Sequence, residues 1–334
     1  MTRSLLFFWF LLCGCSAAAP ARDSHTGASV AETGRNPNRA RAPDGPVYED
    51  LTDRPRVALV VGNGAYSEVA PLDNAARDAR HIAARLAQLG FDVELVIDAD
   101  RVTLLNAIAH MGQRLEAAAR DQLPPVGLFY FLGHGMQYQR RNYVVPVRAG
   151  VSEIGDIPAR LVEVNHVLDA LRAAANPFKI VVLDASRDNA YANDSPSMQG
   201  LLSMVAPRGT LLAYAASPGR IARDGEPGEM GIYTQAFLRH IARPGIPVAT
   251  ALDAVATEVE ERTNGKQTPW RSSTVEAEFA FNPCPDTAPF NGVSCGAARV
   301  ECDRGAWDGE RCVLELLECP RGFEMVPDQG CRPE

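Results

Sequence analysis

Two short segments of the chain carry residue types that can do chemistry, and each directly follows a predicted buried strand. His134 lies between two glycines after the strand Val126–Leu132, and Asp184-Ala185-Ser186 follows the strand Phe178–Leu183. The carboxyl ends of parallel strands meet at one edge of a sheet, which is where reactive residues gather. The two segments would therefore bring an imidazole, a carboxylate and a hydroxyl to the same edge of the sheet.

Short buried strands alternate with amphipathic helices through the central part of the chain. Val57–Val61 predicts a strand that ends in a Gly-Asn-Gly turn, and a 3.6-residue apolar period over 75–89 predicts a helix capped by Asp73 or Asn74. The other predicted strands are Phe91–Ile97, Val126–Leu132, Phe178–Leu183 and Thr210–Ala215, and the other predicted helices cover 104–115, 164–171, 233–241 and 248–259. The alternation predicts an α/β fold, with a mostly parallel sheet flanked by helices on both faces.

The composition favours a globular protein and argues against one class of partner. Of 334 residues, 46% are apolar and 22% are charged, which can fill a sizeable core. The net charge is −8, and no run of Lys and Arg occurs. Because binding to phosphates needs a clustered basic surface, we expect no nucleic-acid partner.

The N-terminus predicts export. Arg3 precedes the apolar run Leu5–Leu12, which is too short to span a bilayer as a helix and is typical of a signal peptide. The segment Leu12–Ser16 resembles a bacterial lipobox, which implies that Cys15 is lipidated and becomes the mature N-terminus. The alternative is a plain signal peptide that is cut later, within residues 17–21.

The predicted organisation follows from these features. We expect residues 1–15 to be the signal peptide, 16–54 a disordered tether without an apolar period, and 55–283 the α/β domain. The location would then be periplasmic or on the outer membrane, with a lipid anchor as the membrane contact.

The C-terminal segment, 284–334, predicts a small module held by disulfides. Six of the eight cysteines lie there, and in an exported protein they favour three disulfides with a pairing that the sequence leaves open. A zinc site is disfavoured because no C-x-x-C motif occurs. The six are Cys284, Cys295, Cys302, Cys312, Cys319 and Cys331.

Taken in order, several motifs of the domain resemble the caspase family, in particular its bacterial and metacaspase-like branch (peptidase family C14). The histidine loop Phe129–Gly135 is similar to the family's F-Y-S-G-H-G. The other matching segments are Arg56–Asn63, Asn74–Ala79, Asn142–Pro146, Gly209–Gly219, Gly231–Thr234 and Gln267–Trp270. The match extends from about 56 to 282, and its ordered set of motifs implies a caspase-like fold.

The resemblance also implies roles for individual residues. The family cleaves peptide bonds with a Cys-His dyad, without a cofactor, so His134 would be the acid/base and Ser186 would stand at the nucleophile position. The backbone N–H groups of Gly135 and Ser186 would form the oxyanion hole. Asp78 and Asp184 match the acids that hold a basic substrate side chain in metacaspase-like members. We expect no cofactor and no metal.

Two departures from the family pattern change the expected chemistry. The family has D-x-C where this chain has Asp184-Ala185-Ser186, and it has serine where this chain has Leu132. A serine hydroxyl is far less acidic than a thiol, so it needs a base that a third group holds in place, and no such group is identifiable in the sequence. We therefore expect peptide cleavage to be lost or very weak.

Three functional hypotheses remain open at this point. The first is a catalytically inactive caspase-like domain that binds peptide or protein segments, with strand 209–216 accepting a peptide by strand addition. The second is a weak endopeptidase that cleaves after Arg or Lys, with Ser186 as nucleophile and His134 as acid/base. The third makes 284–334 the functional part and the α/β domain its scaffold.

Overall fold

A computed structural model describes the α/β domain and parts of the C-terminal segment. The described residues are 49–51, 53–121, 123–173, 176–186, 191, 200–223, 228–284 and 295, together with short strands between 306 and 333. The lipobox with Cys15 and nearly all of the predicted tether lie outside these residues. None of the described helices is long and apolar enough to cross a membrane.

The strands and helices occur where the apolar patterns predicted them, with some additions. The strands of the domain are β1 (Glu49–Asp50), β2 (Arg56–Gly62), β3 (Asp92–Ile97), β4 (Val126–Tyr138), β5 (Arg141–Val144), β6 (Val162–Glu163), β7 (Phe178–Ser186), β8 (Thr210–Tyr214), β9 (Trp270–Ser273) and β10 (Ala277–Glu278). The helices are α1 (Ala75–Gln88), α2 (Arg101–Asp121), α3 (Ile157–Arg160), α4 (Val164–Ala173), α5 (Ile232–Ile241) and α6 (Val248–Arg262), with a 3₁₀ turn at Ile154–Asp156.

The central sheet has eight strands and confirms the predicted fold class. Six of them lie side by side in the order β3-β2-β4-β7-β8-β9, while β5 pairs with the end of β4, and β6 pairs with β5. The pairs from β3 to β8 are parallel, and β9 is antiparallel to β8.

Helices cover both faces of this sheet because the buried strands are apolar on both sides. Consecutive residues of β2, such as Val60 and Val61, belong to two separate apolar clusters. One cluster contains the buried faces of α1, α5 and α6, and the other contains those of α2 and α4. This is the arrangement expected for a parallel sheet that is buried on both faces.

Strand β8 differs from its prediction as an open groove strand. Its residues pair with β7 on one side and with β9 on the other, from Leu211 to Tyr214. A strand that already has partners on both edges offers no row of unpaired N–H and C=O groups to an incoming peptide. The expectation of strand addition along the whole of 209–216 is therefore wrong for residues 211–214.

One short strand lies before residue 55, where the sequence predicts that the domain begins. Residues Glu49–Asp50 form β1, which pairs in parallel with β10, and the amide N–H of Leu51 donates to Glu278 O at 3.2 Å. The side chain of Leu51 is fully buried in the cluster that contains α1, α5 and α6. A two-residue strand carries no periodic pattern, so the sequence placed this segment in the tether.

The C-terminal segment contains one described disulfide, between Cys284 and Cys295. Two short antiparallel pairs follow, the first between Ala306–Trp307 and Cys312–Val313 and the second between Phe323–Val326 and Gly330–Pro333. One disulfide between two of the six predicted cysteines is thus present. The side chains of the other four cysteines lie outside the description, so their pairing stays a prediction.

Candidate functional site

His134 lies within the long strand β4, where the pairing with β7 is interrupted. The register shifts between Leu132 and Gly135, which is typical of a β-bulge. Neither flanking position has room for a side chain, which explains both glycines. A Cβ at position 133 would lie 2.6 Å from the Tyr66 hydroxyl, and one at position 135 would lie 2.6 Å from Ala185 O.

The imidazole of His134 is buried and held by backbone and tyrosine groups. A carbonyl oxygen only accepts hydrogen bonds, so Nε2–H of His134 donates to Ala70 O at 2.7 Å. The amide N–H of His134 donates to the Tyr66 hydroxyl at 2.9 Å, which donates in turn to Val145 O at 3.1 Å. The Tyr66 ring packs edge-on against the imidazole, with centroids 4.6 Å apart.

This arrangement supplies an orienting group that the sequence analysis did not find. With Nε2 carrying the proton for Ala70 O, Nδ1 of neutral His134 is the nitrogen that can accept a proton. The orienting group is a neutral carbonyl, so it stabilises an imidazolium less than a carboxylate would. Ala70 could not be found from a motif because every residue has a carbonyl.

Ser186 ends β7, next to the histidine loop. In the pairing of β4 with β7, the backbone of Ser186 is the direct partner of Gly135. Neighbouring strands lie about 5 Å apart, so the two predicted oxyanion residues are adjacent. Only the backbone of Ser186 is described. Its contact with His134 and the oxyanion hole itself remain predictions.

The two predicted pocket acids are both buried beneath this edge. The side chain of Asp78 accepts the Gly231 N–H at 2.7 Å through Oδ2, and Nε of Arg77 lies 3.5 Å from its Oδ1. Thr234 Oγ1 donates to Asp184 Oδ2 at 3.5 Å. Asp78 is 2% exposed and Asp184 is 3% exposed.

Two tyrosines place the acids in one buried polar cluster. Burial raises the pKa of Tyr130 well above its ordinary value, and the nearby charges of Asp184 and Asp78 raise it further. Burial also raises the pKa of Tyr233, with a further contribution from Asp184. Desolvation raises the pKa of the Asp78 carboxyl too. Acids and phenols therefore share a site that disfavours negative charge.

Leu132 lies beside the buried acids. It is the strand partner of Asp184, and its side chain is 2% exposed within the cluster that contains α1 and α5. An isobutyl group cannot donate or accept a hydrogen bond, so the neighbour of Asp184 on β4 is apolar. The described ranges contain no group of three or more His, Cys, Asp or Glu residues that could hold a metal ion.

Sequence reasoning missed the contacts that join the first turn of α1 to residues 228–231. The Arg77 guanidinium on α1 donates to Gly228 O at 2.6 Å, to Glu229 O, and to Asn74 Oδ1 at 2.9 Å. Together with the bond from Gly231 to Asp78, these contacts fasten residues 228–231 to the first turn of α1. The Asn74–Ala79 motif was the signal for this contact, but it gave Arg77 no role.

The fold and the site together define an α/β protein whose polar centre lies at the carboxyl edge of a parallel sheet, between the strands that carry His134 and Ser186. The family model for the caspase domain, peptidase family C14, matches residues 55–280, which is more than half of the chain. The chain therefore belongs to the caspase domain family.

Two curated relatives are similar over the same region. Human mucosa-associated lymphoid tissue lymphoma translocation protein 1 is 25% identical over 248 residues, which cover 72% of this chain and 29% of that protein. Its mouse homolog is 24% identical over 246 residues, covering 72% of this chain and 28% of that protein. The similar region thus spans less than a third of either relative.

Proposed function

We propose that this protein is an exported caspase-family pseudo-peptidase that binds peptide segments or partner proteins. The observation that carries the proposal is the serine at position 186, in strand register with Gly135 beside the histidine loop. A lipid on Cys15 would make it a periplasmic or outer-membrane lipoprotein. Mass spectrometry of the mature N-terminus tests this anchor, and an unmodified N-terminus within 17–21 would contradict it.

The chemistry of serine supports inactivity. A cysteine thiol with a pKa near 8.5 is partly ionised beside an imidazolium, whereas a serine hydroxyl must lose its proton during the attack. The group that orients His134 is the neutral carbonyl of Ala70, which offers no charge to balance the imidazolium. Each tenfold loss of rate corresponds to about 1.4 kcal/mol of barrier. A loss of a few kcal/mol in the stabilisation of the transition state therefore reduces turnover by orders of magnitude.

The buried acids support a basic side chain as the group that is bound. Oδ1 of Asp78 is buried and makes no hydrogen bond within the described residues, and Nε of Arg77 approaches it only to 3.5 Å. A charge-assisted hydrogen bond is shorter than this. An Arg or Lys side chain of a bound segment would supply the missing donor, while Leu132 would pack on its aliphatic part.

The position of the bound segment follows from the pairing of β8. Residues 211–214 have strand partners on both sides, so the peptide would lie beyond the end of β8, along residues 215–223. These residues follow the strand at the same edge of the sheet as Ser186. We define them as the rim segment.

A second candidate function is slow hydrolysis by Ser186. It is favoured by the fixed orientation of His134, which Ala70 O and the Tyr66 hydroxyl hold as a catalytic base would be held. Cleavage would occur after Arg or Lys.

One experiment separates the two candidates. The unaltered protein, Ser186→Ala and Ser186→Cys are assayed with fluorogenic peptides that end in Arg or Lys, with Ser152→Cys as a control for an exposed thiol. We expect no turnover by the unaltered protein and a gain of cleavage in Ser186→Cys alone. Turnover by the unaltered protein that is lost in Ser186→Ala would overturn the pseudo-peptidase proposal. Silence of Ser186→Cys would contradict an intact acidic site for a basic side chain.

A further inference from the structure

Gln267 is a fully buried amide whose two ends bind the two ends of the rim segment. Its side chain is 0% exposed. Nε2 donates to Ala215 O at 2.8 Å, and Oε1 accepts the Arg223 N–H at 2.9 Å. One side chain therefore fixes where the rim segment leaves β8 and where it passes toward residue 223.

The backbone of Gln267 is also held by a hydrogen bond. The backbone N–H of Gln267 donates to Thr263 Oγ1 at 3.0 Å, directly after the end of α6. In addition, Ser217 Oγ donates to Thr268 O at 2.7 Å, which ties the middle of the rim segment to the next residue of the same motif. Helix α6 thus supports the rim segment through residues 263–268.

The rim segment reaches the histidine loop through a short chain of contacts. Ala215 N–H donates to Leu183 O on β7 at 3.1 Å, and Gly219 N–H donates to Leu201 O at 3.0 Å. Leu201 Cδ2 lies 3.2 Å from the position that a Cβ of Gly135 would occupy. A displaced rim segment would therefore disturb the packing against Gly135.

We infer that Gln267 is the positioning residue of the peptide-binding rim. The geometry requires a donor toward Ala215 O and an acceptor toward Arg223 N, which an amide supplies at every pH. A carboxyl group supplies both only when it is protonated. The significance of the rim rests on the proposed function, whereas the role of Gln267 in ordering it does not.

Amide hydrogen exchange of the full chain tests the ordering role without a ligand. In Gln267→Met, which keeps the length of the side chain, we expect residues 215–223 to exchange about tenfold faster, as follows from losing one or two hydrogen bonds. In Gln267→Glu, we expect protection near that of the unaltered protein at about pH 5 and its loss toward about pH 8. Rates are corrected for the intrinsic effect of pH on exchange.

Asn63→Leu is the matched control. Asn63 is also fully buried, and its amide also binds backbone on both sides, at Ala99 and Val145. This variant should leave residues 215–223 protected at both pH values. A uniform change of exchange over the whole domain in both Gln267 variants, or a Gln267→Glu profile without pH dependence, would overturn the inference.

A binding measurement then connects the rim to the proposed function. The probe is a fluorescein-labelled peptide with a central Arg, titrated into the unaltered protein and the Gln267 variants. We expect Gln267→Glu to lose about tenfold in affinity between about pH 5 and about pH 8 relative to the unaltered protein. If the unaltered protein does not bind the probe, the proposed function fails, while the exchange data still decide the role of Gln267.

Discussion

At the scale of single residues, the site is shaped by groups that hold His134 and by acids held away from water. His134 has its ring fixed by Ala70 O and its backbone fixed by the Tyr66 hydroxyl. Asp78 accepts the Gly231 N–H and has little solvent contact. The contacts of His134 orient its imidazole. The burial of Asp78 makes a charged carboxylate costly unless a cation is bound.

The titration of Asp78 gives a prediction about stability. Burial raises the pKa of this carboxyl in the folded protein above its ordinary value of 3.8. The folded state therefore binds the proton more tightly than the unfolded state, so the free energy of unfolding falls as the pH rises from about 3.8 through the raised pKa. Asp78→Asn removes this titration while its amide oxygen can still accept the Gly231 N–H.

Urea unfolding at a series of acidic and neutral pH values checks this prediction. As the pH rises from about 3.8 through the raised pKa, the unfolding free energy of the unaltered protein should fall relative to that of Asp78→Asn. Asp253→Asn, which removes an exposed acid paired with Arg271, serves as the control for the loss of one carboxylate. A difference that moves in favour of the unaltered protein would contradict the raised pKa.

The sequence predicted the residues of the site better than their contacts. The histidine loop and the segment that ends in Ser186 were found because each follows a buried strand at the same edge of the sheet. The partners of His134 could not be found in this way. Ala70 acts through its carbonyl, and the approach of Tyr66 depends on the fold of the chain between β2 and α1.

At the scale of secondary-structure elements, strands that are apolar along their whole length were predictable and the short polar ones were not. The runs Val57–Val61 and Val126–Leu132 correspond to β2 and β4. By contrast, β9 has the sequence Trp-Arg-Ser-Ser, which shows no apolar alternation, although it covers the edge of β8. The error about the groove strand followed from missing this one partner.

Arg56 links several elements at the opposite edge of the sheet from Ser186. From the start of β2, its Nη1 donates to Leu89 O at 2.9 Å and to Phe281 O at 2.7 Å. Its guanidinium also lies 5.0 Å from the ring centroid of Phe279 and 5.8 Å from that of Phe91. Burial lowers its pKa. The planar group is thus both a donor and a cation packed on aromatic faces.

Replacing this guanidinium by an ammonium group should destabilise the domain. Arg56→Lys loses the planar contact with the rings and cannot keep both carbonyl bonds in the same geometry. We expect a loss of about 1–3 kcal/mol in the free energy of unfolding, measured with urea. Arg80→Lys, at an exposed position of α1, should change it by less than about 0.5 kcal/mol. Equal effects of the two substitutions would argue against a special role for Arg56.

At the scale of the whole molecule, the candidate site and the ends of the domain lie at opposite edges of the sheet. Ser186 and Gly135 lie at the carboxyl edge, whereas β2 begins at the other edge, where Arg56 contacts Leu89 and Phe281. Each end of the domain contributes to the core there, since Leu51 and Phe281 are both buried in the same apolar cluster.

The contribution of β1 can be measured by shortening the chain. A protein that begins at residue 45 keeps Leu51, and one that begins at residue 55, the predicted boundary, loses it. Since Leu51 is fully buried and its N–H donates to Glu278 O, we expect the shorter protein to lose about 3 kcal/mol of unfolding free energy. Leu51→Ala in the longer protein should reproduce most of this loss. Leu95→Ala, at a side chain that is 38% exposed, should not. Equal stability of the two truncated proteins would mean that β1 adds nothing to the core and that the domain begins at residue 55.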